Sequence, residues 1–388
     1  KAAREFNPHQ RIPEFPNSRE VGPVQRTIYP AEYSRIDRIT LASKRVDTVP
    51  SRIPIIGPRE AKLLFRYFVS VDRCLAGRFA LGYEPDEEHL TSLLTELLDQ
   101  KGAELHPLQY SLLQLNHDLK SVESLLQVEL SLTTNKYNRH QEARHTQSDL
   151  GVVLDYRDHI QNDFSFHKAA LFQAKRLYRN SDGKYGLSSV YEAYNDVQHS
   201  GLKALDEFDD FPHREIEMRR HHGQRCFYLL YNPSMIGFES RDQEQIRHRQ
   251  LRNDATSIFD YTQGLHLYHE LLGDSSVQSF ADIASLVCPI DDLELGSEDE
   301  TQPAKPSFEH VLANRNLRQS SLPWFLVFGF MLGDAGSTDH DFLQLVWTGG
   351  SPKWQETANI QFLPPRYVLN IRVHGGLDPE HCNDTKTG

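Results

Sequence analysis

Residues 148–178, SDLGVVLDYRDHIQNDFSFHKAALFQAKRLY, constrain the fold of this chain more than any other stretch. Two short apolar runs, at 152–154 and 169–172, are bounded by polar residues and joined through Gln161-Asn162-Asp163. Runs of this length with a polar turn between them specify a β-hairpin. Closure about Asn162 sets Asp149 opposite Lys175 and Gly151 opposite Gln173. Strand side chains alternate faces, so Gln173 and Lys175 point one way while Ala174 points into the packing. A carboxylate, an amide and a lysine therefore converge at one end of the hairpin. Asp155 shares their face but lies about 20 Å along the strand from Asp149, at roughly 3.3 Å per residue, opposite Ala169.

Most Asp–Lys pairs near hairpin ends are solvated and contribute little. Lys175 sits in the apolar run AALFQAKRLY, however, and a lysine is seldom buried without a partner. An acid, a spacer and then Gln-x-Lys on the next strand resembles the core of the PD-(D/E)xK, or restriction endonuclease-like, nuclease superfamily. The glutamine variant is similar to its Mrr-like branch, where basic or tyrosine-rich residues follow, as Lys175-Arg176-Leu177-Tyr178 do here. The resemblance covers residues 85–235. It implies an α/β fold with a mixed sheet flanked by helices, mostly helical additions, and hydrolysis of DNA phosphodiester bonds. It also implies Asp149 and Gln173 as ligands of Mg²⁺ or Mn²⁺, the Ala174 carbonyl as a further ligand, and Lys175 as the group that positions the attacking water.

The same resemblance calls for one more acid, and two positions compete. In EPDEEHLTSLLTELLDQKG, apolar residues at 90, 93, 94, 97 and 98 follow helical spacing, with Pro85 and the acids 86–88 at the start and Gly102 as the cap. At about 100° per residue, Glu87 falls about 50° from the centre of the apolar stripe and Glu88 about 150° from it. Glu87 is the helix candidate, although all three acids also suit a helix dipole. Glu142, just upstream of Asp149, is the other. Arg176, Arg219 and Arg220 are candidates for phosphate contact, against the commoner use of arginines on a solvated face.

Composition limits the remaining choices. The chain of 388 residues is long enough for a sizeable core, and at 38% hydrophobic and 25% charged it reads as globular. No apolar run reaches transmembrane length and no apolar signal core opens the sequence, so a cytoplasmic protein without a membrane partner is expected. Cys74, Cys226, Cys288 and Cys382 lack the spacing of a zinc site or disulfide framework. A net charge of −12 argues against a general nucleic-acid coat protein. The charge is uneven, with a basic excess in residues 1–66 and an acidic one in 270–310, and a nuclease needs only a local basic path.

Three regions are expected. Residues 1–58, with Pro8, Pro13, Pro16, Pro23, Pro30, Pro50, Pro54 and Pro58, form a proline-rich basic arm. Residues 59–240 form the nuclease-like α/β core: helices at 59–82 and 108–120, a first strand at 124–132, the hairpin, helix at 187–208 interrupted at Ser200-Gly201, and a strand at 226–231. Residues 241–388 are mostly helical, with an acidic loop at 289–307, a helix at 341–347 and a final strand at 366–373 that joins the main sheet. The expected activity is a metal-dependent DNA endonuclease, an effector of prokaryotic anti-phage defence. A catalytically silent subunit that binds nucleic acid or a partner protein, and an unrelated scaffold whose hairpin imitates the motif, are the alternatives. The last requires that no carboxylate lie within about 5 Å of Lys175. Homo-oligomerisation and a partner that supplies target choice remain open.

Overall fold

The computed structural model describes residues 56–80, 85–99, 102, 106, 108–122, 124, 126–135, 148–159, 165–191, 196–207, 224–234, 237–246, 249, 285–290, 305–313, 319–333, 335–348 and 364–375. Residues 1–55 of the proline-rich arm, the hairpin turn, Glu142, Arg219, Arg220 and most of the acidic loop lie outside the described residues.

The hairpin founds the sheet. β2 (Leu150–Asp158) runs antiparallel to β3 (Phe166–Arg176), and both are buried on their two faces along most of their length. Strands covered on both sides read as continuous apolar runs, which is why 152–154 and 169–172 carry no alternation. β4 (Cys226–Tyr231) lies parallel to β3, which requires a crossover, and α4 (Asp196–Glu207) lies in that connection. α4 runs unbroken through Ser200-Gly201, with Gly201 and Leu202 buried. The helix expected from residue 187 is described over Asp196–Glu207; within 187–191, Val190 and Tyr191 make isolated bridges to Ser307 and Leu177 instead.

Register differs from the expectation. Leu150 pairs with Phe172 and Gly151 with Leu171, so Asp149, one residue earlier, stands opposite Gln173 and not Lys175. Asp155 stands opposite His167 and not Ala169. The pairing is displaced by two residues, which keeps every side chain on its expected face; a displacement of one would have inverted them all. Packing holds this register. A Cβ on Gly151 would meet Val346 Cγ1 at 2.8 Å and Pro365 Cγ at 3.0 Å, so only glycine fits beneath α7 (His340–Thr348) there.

The full sheet is mixed and seven-stranded, in the order β1-β7-β2-β3-β4-β5-β6. β1 (Leu126–Thr134) was expected as the first core strand. It lies at the edge, because β7 (Tyr367–Gly375) inserts between it and β2, parallel to β2 and antiparallel to β1. β5 (Leu286–Pro289) and β6 (Ser320–Ser321) extend the other side. Thus the region beyond residue 240 contributes three strands, one of them central.

Helices cover both faces. α1 (Pro58–Ala76) starts with proline at its first position and packs with α2 (Glu87–Leu98) and α3 (Leu112–Ser121). α2 ends at Leu98 with Asp99 as its cap, short of the expected Gly102; Asp99 Oδ1 accepts from Leu132 N of β1 at 3.2 Å. Leu90, Leu93, Leu94, Leu97 and Leu98 are buried, each worth about 1.5–3 kcal/mol. α5 (Phe308–Ala313) packs Phe308 against Phe238, centroids 4.8 Å apart. α6 (Leu322–Trp324) continues as a π-helix, Phe325–Met331, and Phe325 meets Phe172 and Phe227 edge-on at 5.5 and 4.7 Å. Phe172, Ala174 and Arg176 share the face under α2 and α6. Gly151, Leu171 and Gln173 share the opposite face, under α4 and α7.

Candidate functional site

β3 is longer than its partner. Pairing with β2 ends at Phe172, so residues 173–176 continue past the start of β2 with β4 still alongside. The N–H and C=O of one strand residue point toward the same neighbour. Leu171 and Leu177 donate toward the β4 side, to Arg225 O and Tyr231 O, while Phe172 O accepts from Asp149 N on the β2 side. The N–H groups of Ala174 and Arg176 therefore face the side where β2 has stopped. A carboxylate meets each. Asp149 Oδ2 accepts from Ala174 N at 2.8 Å, and Glu87 Oε1 accepts from Arg176 N at 3.1 Å. The two N–H groups are roughly 7 Å apart along the strand, and the Ala174 carbonyl projects from the same edge between them.

Two side chains complete the cluster. Gln173, 4% exposed, donates from Nε2 to Asp149 Oδ2 at 2.6 Å. That bond fixes the amide orientation, since reversing it would set two oxygens against each other. Gln173 Oε1 is then a buried acceptor with no hydrogen-bond partner, an arrangement native interiors seldom leave unfilled. Lys175, 8% exposed, places Nζ 3.6 Å from Glu87 Oε2. β3 buries a second lysine, Lys168, by another device: its Nζ donates to the carbonyls of Phe330 and Gly333 at 2.9 and 2.5 Å.

The first turn of α2 delivers Glu87. Asp86 caps it, accepting from His89 N at 2.7 Å. Thr91 Oγ1 donates to Glu87 O at 2.9 Å, and Tyr231 OH, at the end of β4, donates to Thr91 Oγ1 at 3.1 Å. Burial raises the pKa of Tyr231 well above the usual tyrosine value. Its bond to Thr91 opposes the rise, and the nearby charges of Asp149, Glu87 and Asp72 add to it. The phenol therefore stays protonated and remains a donor across the working pH range.

Of the sequence candidates, Asp149, Gln173, Ala174, Lys175 and Glu87 meet at this edge. Glu87, on the inner side of α2, touches Lys175 and Arg176, whereas Glu88 turns outward to Arg366. Arg176 stacks over Tyr178, its Cζ 3.9 Å from the ring centroid. Asp155 belongs to a separate ion cluster with Arg157, His167 and Arg372. Thr91, Tyr231, Asp72 and Arg366 were not legible as members of this neighbourhood. Only the parallel pairing of β7 with β2 brings Arg366 here, because Tyr367 N donates to Asp149 O at 3.3 Å.

Comparison with family models, with curated proteins and with solved structures finds no match. The cluster must be read from its own chemistry. Among the described residues, no three His, Cys, Asp or Glu side chains are arranged to hold a metal; the edge offers two carboxylates and a glutamine amide bonded to one of them. Carboxylate, amide and backbone carbonyl oxygens are the hard donors that suit Mg²⁺ or Mn²⁺. Gln173 Oε1, buried and without a partner among the described residues, is an oxygen of that type. No helix among the described residues is long and apolar enough to cross a membrane.

Proposed function

We propose that this edge is the centre of a metal-dependent DNA endonuclease. The observation that carries the reading is Gln173 Oε1, a buried acceptor without a partner among the described residues, on an amide bonded to Asp149, two positions from the lysine that pairs with Glu87. A carboxylate within 4 Å of the lysine is also what an accidental imitation of the motif would lack.

Asp149, Glu87 and Gln173, with the Ala174 carbonyl, would hold the cation, which lowers the pKa of a bound water and offsets charge on the phosphoryl oxygens. Lys175 is pinned on β3 by pairing to Leu230 of β4, with its ammonium next to Glu87. From there it orients the attacking water and donates to the phosphate oxygen that gains charge in the transition state. Tyr231 and Thr91 hold the α2 turn that sets Glu87. Arg176, flat against Tyr178, presents its guanidinium toward a passing backbone phosphate.

The deciding experiment is plasmid cleavage by purified protein with and without Mg²⁺ or Mn²⁺, beside Lys175→Ala. Metal-dependent nicking that falls at least 100-fold in the variant is expected. Absence of cleavage, with DNA binding that survives Lys175→Ala, would replace the reading by that of a silent nucleic-acid-binding subunit.

A further inference from the structure

Glu88 and Arg366, each next in sequence to a residue that touches the cluster, are paired with each other. Arg366 Nη1 is 2.5 Å from Glu88 Oε1, with the arginine side chain 32% and the glutamate 63% exposed. Both ends of this pair are anchored to the site. Glu88 follows Glu87 on the capped turn of α2. Arg366 precedes Tyr367, whose N–H donates to Asp149 O, and its Cζ lies 5.5 Å from the Tyr367 ring centroid. The guanidinium of a residue one position from the Asp149 contact thus pairs with a carboxylate one position from Glu87.

We infer that Arg366 is a phosphate anchor for the nucleic-acid substrate and that Glu88 is its internal competitor. The inference rests on the nuclease reading. An exposed ion pair contributes little and is readily exchanged. A phosphodiester offers the same geometry as a carboxylate to a guanidinium fork, and an arginine already positioned loses less freedom on binding it. When a DNA phosphate reaches Arg366, it takes the place of the Glu88 carboxylate. Glu88 thereby sets a threshold: isolated anions and weakly charged ligands do not displace it, whereas a polyanion held at several points does.

The test is fluorescence anisotropy of a labelled DNA duplex with calcium in place of magnesium, across a salt series. Arg366→Ala should weaken binding about tenfold and lower the salt slope by about one. Glu88→Gln should tighten binding several-fold, and that gain should vanish in the double variant with Arg366→Ala. Circular dichroism of each variant checks folding, and Glu88→Gln tests the idea even if Arg366→Ala unfolds. Wild-type affinity in Arg366→Ala, or an equal gain from Glu88→Gln with and without Arg366, overturns the inference while leaving a DNA-cleaving wild type intact. A wild type that neither binds nor cleaves DNA overturns both readings.

Discussion

Asp149 is expected to stabilise the fold when no metal is bound, and its removal gives the sharpest test of the geometry. Asp149→Ala deletes the acceptor of two donors at once, Gln173 Nε2 at 2.6 Å and Ala174 N at 2.8 Å. Those donors belong to residues 4% and 1% exposed, so little water replaces the lost oxygen. Each stranded donor costs about 1–3 kcal/mol, giving about 2–4 kcal/mol for the pair after partial rehydration at the edge. Asp149→Asn keeps one acceptor oxygen and should lose about half as much. The metal adds a second signature. On the proposed function, a cation at ten times its Kd would stabilise the wild type by about 1.4 kcal/mol, and neither variant should show that increment. Urea unfolding followed by far-UV circular dichroism, with and without Mn²⁺, measures both quantities. An Asp149→Ala protein as stable as wild type without metal, or equally stabilised by Mn²⁺, would refute the reasoning.

Further predictions concern the scaffold. Gly151→Ala drives a methyl into Val346 and Pro365 and should cost about 1–3 kcal/mol; adding Val346→Ala should relieve part of the loss, so the double variant falls short of the sum of the singles in urea midpoints. Burial alone would raise the Asp155 carboxyl, but Arg157, Arg372 and His167 outweigh it and hold its pKa below the usual value. The sign follows: stability from this depressed carboxylate is fully present above the usual carboxylate pKa and is lost as pH falls through its lower folded value. Asp155→Asn should therefore cost about 1–2 kcal/mol near neutral pH, a modest figure because the partners are half exposed. The gap to wild type should narrow below about pH 4, and denaturant midpoints across the acid range report it.

Much of the architecture was legible because local physics specifies it. The apolar runs at 152–154, 169–172 and 226–231 carry no alternation, and each became a strand buried on both faces. Leucines at helical spacing with Asp86 before them produced α2. The angular argument that turned Glu87 toward the apolar stripe and Glu88 away from it matches their partners, Lys175 for one and Arg366 for the other. Exact pairing was not legible. The register of β2 on β3 differs from closure about Asn162 by two residues, and the packing that admits only glycine at 151 comes from Val346 and Pro365, some two hundred positions away. Likewise, no local pattern in RYVLNIRV says that it will insert between β1 and β2.

The sequence by itself determined which residues form strands and helices, which faces are apolar, and that Asp149, Gln173 and Lys175 share one face of a hairpin. Those properties depend on periodicity and on neighbours within a few positions. Tertiary structure alone decided that β3 overruns β2, so that two carboxylates cap the Ala174 and Arg176 N–H groups beyond its start. It also decided that Gln173 keeps a buried oxygen without a donor among the described residues and that Arg366 pairs with Glu88. Strand ends, register and long-range pairing follow from how the layers pack against one another. Contacts between residues hundreds of positions apart set that packing, and no local window of sequence contains them.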